Sequence, residues 1–128
     1  MRFAGAFAYA EREVSAMSSP LWSILFGVFL IVHGVGHAAG FYLGNRAFAA
    51  LWVPALAGFI AAGLAFFGAA LPHEWWRPLA VASASLSMFV IIAFWPPAPG
   101  PKLNALLANV GILFAVLWLH WPVPRTGP

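Results

Sequence analysis

Two histidines stand four residues apart in HGVGHAAGFYLG, residues 33–44, in the middle of an apolar run. Imidazole can donate or accept a hydrogen bond, carry a proton near neutral pH, or ligate a metal. On a helix, His33 and His37 share one face, a turn apart. At about 100° per residue, Trp22, Phe26, Phe29, Gly36, His37, Gly40 and Gly44 fall within roughly 40° to 60° of His33. Gly36, Gly40 and Gly44 extend the small-xxx-small pattern, which lets helix backbones approach closely. The same face therefore predicts both a polar site and a packing surface.

Several chemistries fit such a pair. Histidines at i and i+4 can share a metal, but zinc takes three or four protein ligands. The chain has no cysteine or aspartate, and Glu11, Glu13 and Glu74 fall on the other side of the topology argued below. No metal site is expected. A single imidazole could hold a haem or a chlorin magnesium, with Gly36 and Gly40 making room for the ring. It could also serve a lipid, quinone or other apolar molecule as hydrogen-bond partner or proton carrier. Nucleophilic catalysis lacks a carboxylate at this level to orient an imidazole, so no enzyme is expected. The plainest role is interhelical glue, worth roughly 0.5 to 2 kcal/mol per bond.

The elements that would position the pair follow from composition. Hydrophobic residues make up 63% of the 128, and charged residues only 7%, against the roughly 25% usual in soluble domains. Residues 14–45, 47–73, 78–101 and 103–124 contain no Asp, Glu, Lys or Arg. Crossing a bilayer core takes about 20 apolar residues in a helix. The sequence thus predicts an all-α integral membrane protein, an antiparallel four-helix bundle running up-down-up-down. Its spans are expected at about 21–42, 50–71, 79–95 and 102–121, within a domain at 20–122.

Residues 1–19 carry two acids and no long apolar core, unlike a cleaved signal. The leader is expected to be retained, as an interfacial helix or a disordered tail, and residues 123–128 form a C-terminal tail. Ser18 or Ser19 can cap the first span, and Pro20 fits its first turn. The stretch PHEWWRP, residues 72–78, is expected to be a short polar turn joining two spans at the interface. Trp22, Trp52, Trp75, Trp76, Trp95, Trp118 and Trp121 all fall near predicted span ends, where indoles favour the headgroup level.

The +3 net charge comes with no basic cluster, so nucleic acid is not an expected partner. Arg2, Arg12, Arg77 and Arg125 share one side, Arg46 and Lys102 the other. Both termini are therefore expected in the cytoplasm. Measured from the outer span ends, His33 and His37 lie roughly 8 to 14 Å deep at about 1.5 Å per residue. Ser87 and Asn109 come out at roughly 10 to 12 Å, with Gly58 on the remaining helix at similar depth. His33, His37, Ser87 and Asn109 are the expected polar layer or ligand site, and Gly36, Gly40, Gly44 and Gly58 the expected packing positions.

The function expected is a non-enzymatic binding or accessory subunit of a membrane assembly, without a required cofactor. Its partners are lipid and other membrane subunits or further copies of the chain. A self-contained protein binding an apolar ligand or tetrapyrrole at His33 and His37 is the alternative.

Overall fold

The computed structural model describes residues 20–39, 50–94 and 101–122. Expectations placed on the leader, Gly40, Gly44, Arg46, Trp95 and the tail after residue 122 lie outside the described residues. The described chain is helical, without a strand. Helix α1 spans Pro20–Gly36 and runs on into a 3₁₀ turn, His37–Ala39. Helix α2 is Trp52–Phe66, and α3 is Trp76–Phe94, entered through a 3₁₀ turn at His73–Trp75. Helix α4 is Pro101–Leu113, and its last turns widen to π geometry over Phe114–Trp118.

Proline sets the starts. Pro20 and Pro101 open α1 and α4, where the fixed φ suits a helix and the missing N–H costs no bond. Pro54 and Pro78 stand third in α2 and α3, still among the first four residues whose N–H groups have no intrahelical acceptor. Two expectations on boundaries are corrected here. Helix α2 stops at Phe66, not near residue 71, because Gly68 turns left-handed at φ +67°. Gly68 N–H then bonds Ala65 O and Ala69 N–H bonds Leu64 O at 2.8 Å, the double bond of a Schellman cap. Helix α3 begins at Trp76, not Leu79, so PHEWWRP is largely a helix start and not a polar turn.

Contacts between successive helices run in opposite sequence order. A Cβ on Gly27 would meet Phe66 and Phe67, whereas one on Gly34 would meet Leu56, Phe59 and Ile60. Ser83 of α3 covers Gly58, and Trp76 packs on Phe66. Phe26, Leu30, Phe59, Ala62, Ala65, Trp76, Ala80, Ala84, Ile112 and Val116 form one apolar core from all four helices. A second cluster gathers Trp52, Val90 and Ile91.

Polarity is distributed inside out. His37, Ser83, Ser87 and Asn109 are buried, while Leu21, Ile24, Val28 and Val32 on α1, Phe89 and Ile92 on α3, and Leu103, Leu107 and Leu117 after them face outward. The segments Pro20–Ala39 and His73–Phe94 are long and apolar enough to cross a membrane, whereas Trp52–Phe66 and Lys102–Trp118 are apolar but shorter. Trp22, Trp75 and Trp118 are exposed at helix ends, but Trp52 and Trp76 turn into the interior. Those two indoles are core, not headgroup anchors.

Candidate functional site

The second half of α1, the middle of α3 and the middle of α4 bring together the polar side chains singled out in the sequence. His33 Nε2 lies 3.1 Å from Asn109 Oδ1. Asn109 Nδ2 lies 2.7 Å from Ser87 Oγ, and Ser87 Oγ lies 2.5 Å from His37 Nε2. The ring closes through His37 Nδ1, 2.9 Å from the backbone oxygen of His33. In an apolar interior each of these groups would be expensive without its partner.

Donor direction follows from one fixed point. A carbonyl oxygen only accepts, so His37 Nδ1 carries the proton it donates to His33 O. With His37 neutral, its Nε2 must accept, and the Ser87 hydroxyl donates to it. Ser87 Oγ then accepts from the Asn109 amide, which turns Asn109 Oδ1 toward His33 and makes Nε2–H of His33 the donor. All four donors thus point the same way around a closed circuit. On the histidines, the lone pair of His33 Nδ1 has no hydrogen-bond partner among the described residues.

Aromatic rings wall the circuit. The His33 ring stacks with Phe29 at 5.6 Å and 20° and meets Phe59 edge-on at 4.8 Å. His37 lies 6.0 Å from the Trp52 ring and 5.2 Å from that of Phe59. These rings shield the hydrogen bonds without competing for them.

Beside the circuit, between α1 and α4, lies a partly open cleft of about 370 Å³. His33 and His37 line it together with Phe29, Trp52, Asn104 and small residues that include Gly36 and Ala108. None of the described residues lining it is charged. Gly36 lies beside this space, and no described atom is within 4 Å of where its Cβ would stand. Gly36, expected as a packing position, thus borders the cleft and has no packing neighbour among the described residues. At Gly58 a Cβ would overlap the Ser83 hydroxyl.

Close approach of α1 to α2 rests on residues that the small-residue pattern overlooked. A Cβ on Gly34 would stand 2.9 Å from Phe59 Cβ and 3.1 Å from Leu56 O, and one on Gly63 would run into the Ile31 side chain. Gly27 and Gly34 stand seven apart, and that heptad spacing was the available signal. Phe59 and Asn104 were likewise missed. Nothing in their spacing separates them from the rest of an apolar chain.

Ligation has little room here. Among the described residues no three His, Cys, Asp or Glu side chains gather to hold a metal. A tetrapyrrole bound through Nε2 of either ring would break a bond of the circuit, which leaves His33 Nδ1 as the available nitrogen. His73 and His120 sit elsewhere, donating through Nδ1 to Phe66 O and Trp118 O.

The chain matches no protein-family model, no curated protein and no solved structure. Function has to be read from the site itself.

Proposed function

We propose that this chain is a four-span integral membrane protein, an antiparallel up-down-up-down bundle, acting as a non-enzymatic binding or accessory component of a membrane assembly. The observation that carries the reading is the inverted polarity, with Asn109, Ser87 and His37 buried and large aliphatic side chains turned outward. In water this arrangement would expose apolar surface far beyond a monomer's usual patches of a few hundred Å². In a bilayer it removes polar groups from hydrocarbon and gives every outward side chain an apolar neighbour. Helix α2, at 15 residues, spans about 22 Å, short of the roughly 30 Å core. Local thinning of the bilayer accommodates such a mismatch at modest cost.

The non-enzymatic assignment rests on the circuit. Both nitrogens of His37 are engaged in hydrogen bonds, and no carboxylate among the described residues accompanies them. Such a cluster fastens α1, α3 and α4 and offers one acceptor to a ligand. Lipid and other membrane subunits, or further copies of the chain, are the proposed partners, and a cytoplasmic location of both termini is part of the same proposal.

Membrane fractionation followed by an alkaline carbonate wash tests the core of this proposal. The protein should remain in the pellet and leave it only with detergent. Recovery in the soluble fraction as a monodisperse species would overturn it.

A further inference from the structure

The cleft between α1 and α4 has a shape and a polarity that define a ligand class. Its volume of about 370 Å³ lies at the small end of ligand clefts, roughly 300 to 1,000 Å³. That is room for one ring system, with any chain trailing outside. No charged side chain among its described lining residues would meet an ionic group, so the occupant is neutral. Phe29 and Val32, both on its rim, are exposed on the outer face of α1, so entry is lateral and from an apolar phase. The stacked rings of Phe29 and His33 present a flat aromatic wall suited to a planar ring.

The polar complement is equally specific. Hydrogen-bond direction around the circuit commits His33 Nε2 to donating, which leaves Nδ1 as an acceptor. A ligand that satisfies it must bring a donor, and a hydroxyl is the simplest that a neutral ring carries.

We propose that this cleft is a binding site for a neutral, membrane-soluble aromatic alcohol of the phenol or quinol class, its ring lying against Phe29 and its hydroxyl donating to His33 Nδ1. The proposal rests on the membrane reading above and deepens it. The Gly36 position supplies its test, because Gly36 lines the cleft and a Cβ there would have no described atom within 4 Å.

The experiment titrates 2-naphthol into the full chain in lipid nanodiscs, with empty nanodiscs correcting for partition, and repeats this with 2-methoxynaphthalene and with cholesterol. Saturable binding of one naphthol per chain is expected, with the methyl ether about fivefold weaker for want of one hydrogen bond. Gly36→Phe should abolish the saturable component while leaving the unfolding midpoint within a few degrees of the parent's. Should that variant unfold, Ala108→Leu fills the same space from α4, and the ether comparison needs no variant.

Equal binding of naphthol and its ether, naphthol binding that survives the filled cleft, or no saturable binding by protein folded in the nanodisc would each overturn the site. Cholesterol binding in place of naphthol would overturn the planar-ring assignment. A chain that stays in water and does not enter nanodiscs would overturn the membrane reading, and the site with it.

Discussion

Asn109 donates its side-chain amide to Ser87 Oγ across 2.7 Å, joining α4 to α3 inside an otherwise apolar interior. Each partner also serves a histidine of α1, so removing either one strands two other polar groups. Asn109→Ala or Ser87→Ala should each cost about 1 to 3 kcal/mol of unfolding free energy. The double-mutant cycle should return a coupling of about 0.6 to 1.7 kcal/mol. Reversible unfolding in mixed micelles measures all three, and a coupling indistinguishable from zero would show that the two side chains act independently.

The two histidines should separate by phenotype. His37 is buried and uses both ring nitrogens. A glutamine there cannot reach Ser87 and the carbonyl one turn back together. His37→Gln should therefore destabilise by about 1 to 3 kcal/mol. At His33 a glutamine N–H can still serve Asn109, and the loss should stay below about 1 kcal/mol. The preference for naphthol over its methyl ether should shrink in His33→Gln, because the ring Nδ1 acceptor is gone, while both ligands still bind the cleft. Equal stability losses in the two variants would contradict the donor order of the circuit.

Much of this arrangement was legible in the sequence. The uncharged runs set four helical segments, and matching depths singled out His33, His37, Ser87 and Asn109, because polar groups in an apolar chain must find one another. The end of α2 was harder. The run from Ala55 to Leu71 is continuously apolar, and only the left-handed Gly68 marks the stop. Nor could composition say which glycine packs. Gly34 and Gly36 are two residues apart, so they point roughly 160° away from each other on a helix. Which of those directions holds a neighbour depends on the placement of α2, and local sequence does not encode it. The inward turn of Trp52 and Trp76 has the same origin, since an indole at a helix end suits a headgroup or a core equally well.

That pair of glycines yields a sharp contrast. A methyl group on Gly34 would press on the Leu56 carbonyl and the Ile60 amide, both at 3.1 Å and both backbone atoms of α2. Backbone inside a packed helix cannot give way, so Gly34→Ala should cost about 1 to 3 kcal/mol. Gly36→Ala meets no described atom and should gain up to about 1 kcal/mol from reduced backbone entropy in the unfolded chain. Melting both variants in one detergent checks the order. A Gly34→Ala protein as stable as the parent would mean that α1 and α2 are not in contact there.

Orientation is open to chemical labelling, helped by the absence of native cysteine. With both termini cytoplasmic, a cysteine replacing Arg46 should react with an impermeant maleimide in intact cells, as should one replacing Lys102. One replacing Thr126 should react only after lysis. The reverse pattern would invert the topology and show that four basic residues against two do not set it.

The environment of the outer surface can be tested at a single position. Val28 lies in the middle of α1 and is 45% exposed, with no polar residue within one helical turn on either side. If lipid covers that surface, Val28→Asp brings a carboxylate to the centre of a span, at about 2.5 to 3.5 kcal/mol on the insertion scale. Snorkelling does not help a side chain so short. If water covers it, the same change is an ordinary surface substitution, worth about 0.5 kcal/mol or less, and it should improve solubility. Val28→Asp should therefore lower the membrane-inserted yield severalfold, whereas the isosteric Val28→Thr should not. Undiminished accumulation of Val28→Asp in the membrane fraction would show that this face is covered by something other than lipid.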